Sequence, residues 1–371
     1  MPVRISRLLL VSALLPTLSL RAQTASLVRD IVQTAPSPSS LPSSLPQGLL
    51  AFQGKLFYSA EEPSSGRELW VSDGEGRGTR MLADFCPGQC SSDPRILGTL
   101  GSAVLGIEFV NQYIHDDGDF LWRSDGTREG TYLLPSVEDP VSPFFDTDIG
   151  VDTATVGNVL YFSGCNQGSG CGLWRSDGTA AGTRLLQPRD ATGYSAFRLT
   201  AVGKRLFYTV QMTLWVTDGT AAGAHEVQTF SSYPSRLSAL GDKLFFTAPG
   251  ADGEELWTTD GTAAGTRVLT SFQAPSPFAQ TYWLKPLGGK IYFVADDVTH
   301  GAELWVSDGT ATGTLRVTEM GYFNPFGHDE DDPFDETGLL ASNLELLGNR
   351  LVFWATDGVN GFRPWSTTGA P

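Results

Sequence analysis

Carboxylates are the side chains of this sequence best equipped for chemistry, and they fall in runs. Segment 321–338 reads GYFNPFGHDEDDPFDETG. It holds Asp329, Glu330, Asp331, Asp332, Asp335 and Glu336, with Phe323, Phe326 and Phe334 interleaved. Clustered carboxylate oxygens are hard ligands suited to calcium, so Asp329, Asp331 and Asp332 are the candidate calcium ligands. The spacing is not that of an EF-hand, and a solvated acidic loop is the competing reading. Shorter acidic groups occur at His115, Asp116, Asp117 and Asp119, at Asp146 and Asp148, and at Asp296 and Asp297. Turn formation is the preferred reading of the first and last of these groups over ligation, and Asp146 and Asp148 leave both readings open. The histidines, His115, His225, His300 and His328, stand apart from one another, and none has an HExxH context. A nucleophile elbow, a phosphate-cradling loop and a dinucleotide fingerprint are all absent. Paired carboxylates for glycoside hydrolysis are defined by distance in space, so sequence spacing alone does not find them.

The four cysteines form two close pairs, Cys86 with Cys90 (CPGQC) and Cys165 with Cys171 (CNQGSGC). Even numbers at short spacing in an exported chain read as disulfides. A zinc site is the weaker alternative, because no histidine accompanies either pair at ligand spacing. Export is indicated at the N-terminus. Arg4 and Arg7 precede the apolar run 8–15, and the small residues Ala22 and Ala25 follow. This is the layout of a signal peptide over residues 1–24, too short for a comfortable membrane span. An uncleaved anchor is the alternative. The formal net charge is −16, with only 25 Lys and Arg. Without a basic cluster, neither nucleic acid nor an anionic membrane surface is an expected partner.

The elements that position these residues are read from a repeat. The string Leu-Trp-x-(Ser/Thr)-Asp-Gly occurs six times, at Trp70, Trp122, Trp174, Trp215, Trp257 and Trp305, with its aspartates at Asp73, Asp125, Asp177, Asp218, Asp260 and Asp308. A degraded seventh copy surrounds Trp365. Residues 235–270 display one unit: a short alternating segment, a Gly-Asp turn, the strand KLFFT, a Gly-rich reversal, the strand ELWT, a DGT loop and a last short strand. Four antiparallel strands per unit make a propeller blade. The tryptophan can bury its ring between blades. The glycine after aspartate permits a left-handed turn, whose free amides the Asp or Thr side chains can bind. The repeated residues are therefore structural first, with a repeated catalytic or metal role, calcium foremost, as the alternative.

RELWVSDGEGRGT, EELWTTDGTAAGT and AELWVSDGTATGT carry the full motif. FLWRSDGTREGT, GLWRSDGTAAGT and TLWVTDGTAAGA lack its leading Glu. The repeat resembles that of the ELWxxDGT family of bacterial exported proteins, over nearly all of the chain beyond the signal region. The resemblance implies a propeller at an extracellular or cell-surface location and implies no activity.

The expectation is therefore an all-β chain whose residues 25–371 form a single seven-bladed β-propeller of four-stranded antiparallel blades. The seventh unit ends soon after Trp365, so it lacks a fourth strand. Residues 27–31 (LVRDI) align with MLADF at 81–85 and are expected to supply that strand and latch the ring. A loose linker is the alternative. The expected function is a secreted, non-enzymatic binding or scaffold module for an extracellular protein or glycan. The rival is an extracellular polysaccharide hydrolase or lyase with its site in the central pocket.

Overall fold

The computed structural model describes residues 43–108, 120–134, 142–143, 145–146, 150–166, 169–250, 253–270, 281–296, 302–318, 344–355 and 363–368. These residues are all-β and contain no helix. Residues 1–24, expected to form a signal peptide, and segment 27–31 lie outside them.

The repeat units become antiparallel sheets in chain order. The fifth sheet serves as the pattern, with strands Ser235–Leu240, Lys243–Pro249, Glu254–Thr259 and Arg267–Val268. Its first two strands are joined through Gly241 and Asp242, a two-residue turn whose glycine has φ of 61°. The second strand, KLFFTAP, is apolar on both faces because neighbouring sheets cover both. The fourth strand has only two residues, yet its ladder is prolonged. Leu269 N–H donates to Leu256 O at 2.8 Å, and Leu256 N–H donates to Thr270 Oγ1 at 2.9 Å.

The first, second, third, fourth and sixth sheets repeat this four-strand path, and the third gains a short extra strand, Ser142–Pro143, beside Val159–Asn166. The seventh sheet has three described strands, Glu345–Leu347, Arg350–Ala355 and Arg363–Thr367. The first strands of successive sheets touch one another from the first sheet through to the seventh. The sheets are thus arrayed with first strands inward and fourth strands outward, a propeller-like architecture.

Apolar side chains fill the seams. Phe57, Leu69, Val71 and Leu82 of the first sheet pack on Val104 and Trp122 of the second. Phe207, Leu214 and Val216 of the fourth pack on Leu244, Phe246 and Trp257 of the fifth. Five motif tryptophans, from Trp122 to Trp305, face the preceding sheet in this way. Trp257 and Trp305 lie over Phe246 and Phe293, directly opposite on the second strand, with ring centroids 6.4 and 6.3 Å apart. The indole N–H of Trp174, Trp257, Trp305 and Trp365 donates to the carbonyl two residues beyond that opposite position. The second sheet departs from the pattern. Gly106 lies opposite Trp122, where a Cβ would come within 2.1 Å of the ring, and Phe85 supplies the stacking partner instead.

Cations bind adjacent sheets at their rims. Lys55 Nζ donates to Gly126 O at 3.0 Å, Arg175 Nη1 to Gly219 O at 3.0 Å and Arg267 Nη2 to Gly309 O at 2.8 Å. Each reaches from one sheet to the DGT loop of the next.

Candidate functional face

Antiparallel alternation sorts the connections onto two ends of the molecule. Turns between first and second strands share one end with the DGT loops. Hairpins between second and third strands share the other with the connections that lead to the next sheet.

At the DGT end the side chains satisfy one another. In the fifth sheet Asp260 Oδ1 accepts from Thr262 N–H at 2.9 Å and Thr262 Oγ1 at 2.7 Å. Gly265 N–H donates to Thr262 Oγ1, and Gly261 N–H donates to Thr259 Oγ1. Thr259 and Thr266 close the loop at 2.7 Å. Gly261 has φ of 90°, and a Cβ on Gly265 would lie 2.0 Å from Asp260 Oδ1. Glycine is therefore required at both positions. The Asp and glycine bonds recur around Asp125, Asp177, Asp218 and Asp308. The hydroxyl closure recurs at all of these but Asp218, where Ala224 replaces the second threonine and Thr217 Oγ1 donates to Thr220 O. In the first loop, where Glu75 stands in place of Thr, Asp73 keeps only the amide bond. The threonine hydroxyl and amide hold the carboxyls of Asp125, Asp177, Asp218, Asp260 and Asp308 below their usual range. His225 belongs to this rim, with Nδ1 3.0 Å from Gly223 O and Nε2 3.3 Å from Gly261 O of the next sheet.

The other end carries what is not repeated. Both disulfides form there, Cys86–Cys90 and Cys165–Cys171. Among the described residues the connections at this end hold a single Lys or Arg, Arg189. The leading Glu of the motif also acts here. Buried Glu68 accepts from Phe85 N–H at 2.9 Å, Ser92 N–H at 3.1 Å and Ser92 Oγ at 2.6 Å, tying down the Cys86–Cys90 connection. Burial pushes its carboxyl up to about 7, against the pull of these donors. Glu303 plays a similar part by accepting from Thr318 Oγ1. Asp152 accepts the N–H of Leu199 through both oxygens, and burial raises its carboxyl as well.

Over the fourth and fifth sheets this end exposes large apolar side chains: Tyr194 (47%), Phe197 (37%), Met212 (36%) and Tyr233 (51%). Arg198 and Arg236 stand beside them at the entrances of two adjacent first strands, with φ of 55° and 50°. Gly48 and Trp283 hold the same left-handed position at the bulge of the first strand in the first and sixth sheets, so this backbone belongs to the repeat. Arg236 pairs with Glu254 at 3.0 Å. The repeat pattern does not point to this patch. Its signal was aromatic residues in connections that are otherwise polar.

The candidate calcium ligands Asp329, Asp331 and Asp332 lie outside the described residues, as do His115, Asp116, Asp117, Asp119, Asp148, Asp297, His300 and His328. Asp146 lies in a short strand pair with Gly150. Among the described residues no three ligating side chains gather.

No family model matches the chain, and no curated protein matches it. Solved structures similar to it include the computationally designed Ika8 protein, at 14% identity and a TM-score of 0.44, covering 89% of this chain and 88% of that one. Prolyl endopeptidases match at 12% identity and a TM-score of 0.45, covering 88% of this chain and 50% of theirs. The β-propeller domain of the Trilobed protease from Pyrococcus furiosus matches at 10% identity and a TM-score of 0.40, covering 89% of this chain and 97% of that domain. The chain spans only half the length of the endopeptidase, and no activity is carried over at these values.

Proposed function

We propose that this chain is an exported seven-bladed propeller that binds an extracellular protein or glycan through its irregular end. The observation that carries this reading is the division between the two ends. DGT carboxylates and hydroxyls are engaged within their own loops. The opposite end exposes Tyr194, Phe197 and Tyr233 beside Arg198 and Arg236. Aromatic and arginine side chains dominate protein recognition, and aromatic rings present flat apolar faces to sugars. Two disulfides and the resemblance to ELWxxDGT repeats support export.

Closure of the ring, with residues 27–31 completing the seventh blade, belongs to the same proposal. Apolar side chains fill six seams, five of them with the motif tryptophan, and the repeat asks for a seventh seam between the last sheet and the first. Arg350 occupies the second-strand position from which Lys55 and Arg205 reach the next sheet. Gly126, Gly261 and Gly309 each meet a side chain of the preceding sheet, whereas Gly74, the corresponding glycine of the first sheet, meets none, so closure rests on the repeat pattern and not on a formed seam.

Binding is favoured over catalysis because the carboxylates described near the exposed aromatics are engaged. Asp152 holds the backbone of Leu199, and Glu254 is ion-paired with Arg236. The experiment is to incubate the mature protein with a panel of soluble polysaccharides and with extracellular protein extract. Capture is scored by pull-down, and turnover by new reducing or unsaturated sugar ends. Capture without new ends is expected. Release of ends proportional to enzyme concentration would overturn the reading.

A further inference from the structure

The two disulfides sit in opposite electrostatic settings. Cys165 and Cys171 lie directly opposite each other on the second and third strands of the third sheet, and both are partly exposed. Arg189 brackets them. Its N–H donates to Cys171 O at 2.8 Å, and its Nη2 stands 3.4 Å from Cys165 Sγ. In the other pair, Cys86 is buried, and Cys90 Sγ faces the carbonyl of Ser91 at 3.9 Å. A guanidinium stabilises a departing thiolate, whereas a carbonyl oxygen opposes one. Exchange runs faster when the leaving sulfur is the better-stabilised thiolate. Loop size does not separate the pairs, because Cys86–Cys90 has a sequence separation of 4 and Cys165–Cys171 of 6, and both constrain the unfolded state weakly. The repeat does not use this pair, which lies at the proposed binding end beside the connection that carries Tyr194.

We infer that Cys165–Cys171 is an exchangeable disulfide, opened by small dithiols, with Cys165 as the leaving sulfur. A dithiol thiolate attacks Cys171 Sγ and forms a mixed disulfide. The bond to Cys165 breaks, and its electron pair stays on Cys165 Sγ beside Arg189. The second thiolate of the reagent then attacks its own sulfur in the mixed disulfide and releases Cys171, which takes up a proton. The reagent is oxidised to a cyclic disulfide and the cysteine pair is reduced by the same two electrons. The reduced site presents a nucleophilic Cys165 to thiol-reactive partners.

The test equilibrates the mature protein in mixtures of reduced and oxidised dithiothreitol, then traps free thiols by alkylation and reads each peptide by mass spectrometry. Cys165–Cys171 is expected to open at a reductant ratio at least about tenfold lower than Cys86–Cys90, with the circular dichroism of the fold unchanged. Alkylation of Cys165 should show a pH midpoint below the free-cysteine value of about 8.5. Arg189→Gln should raise that midpoint and slow opening about tenfold, while Arg189→Lys should retain most of the effect. Should Arg189→Gln fail to fold, the wild-type midpoints of Cys165 and Cys171 decide the matter, with Cys165 the lower. Opening of both disulfides together, or equal midpoints for the two cysteines, would overturn the inference. So would a folded Arg189→Gln variant that behaves as wild type.

Discussion

Aspartate at the head of each DGT loop acts on its own turn. Asp177 Oδ1 accepts from the amide and the hydroxyl of Thr179, a geometry equivalent to a helix N-cap. Removing such a cap costs about 1 kcal/mol. Asp177→Ala is therefore expected to lower the thermal midpoint by a few degrees, while Gly182→Ala, which drives a Cβ to 1.9 Å from the same carboxylate, should cost more. Scanning calorimetry checks both. Two families of carboxylates set the pH response with opposite signs. The DGT aspartates titrate below their usual values, so their contribution is present above pH 4 and is lost as pH falls further. Glu68 titrates near 7 in the fold, so its contribution is full below about pH 4.5 and is lost as pH rises through 7. Urea denaturation should show greatest stability between these limits. Glu68→Gln should flatten the decline toward neutral pH, a change on the order of 1 kcal/mol once solvent screening is allowed for.

At the scale of the element, the tryptophan strand and its seam set the stability. Trp122 is fully buried against the first sheet, so Trp122→Ala is expected to cost about 3–5 kcal/mol. Trp365 is 37% exposed, and Trp365→Ala should cost a small fraction of that. Equilibrium unfolding of the two variants makes the comparison. The strands were legible in the sequence because each unit repeats the same demands. A two-residue turn precedes the KLFF-type strand, and the LW strand is followed by a left-handed DG. What escaped notice was contact between distant positions. Arg189 lies 24 residues from Cys165, and Phe85 replaces the aromatic that Gly106 omits. Tyr194, Phe197 and Tyr233 occupy non-repeated positions in two units, and only antiparallel alternation brings them to one end.

At the scale of the molecule, successive seams hold each sheet against the next, and the last sheet is the weakest member. Its second strand presents Val352 where the first and fifth sheets present Phe57 and Phe245, and Pro364 and Ser366 are exposed. The latch proposed for residues 27–31 would compensate for this. Deleting residues 25–32 is accordingly expected to lower the melting temperature by many degrees, and an unchanged melt would contradict the latch. The central claim concerns which end of the propeller binds. Its most direct test takes the glycans or extracellular proteins captured by the wild type and measures their affinity for two matched variants. Tyr194→Ala with Tyr233→Ala alters the irregular end, and Tyr132→Ala alters an exposed tyrosine at the start of an outer strand, near the DGT end. The account predicts at least a tenfold loss of affinity for the double variant and none for Tyr132→Ala. Unchanged binding by a folded double variant, or loss confined to Tyr132→Ala, would contradict it.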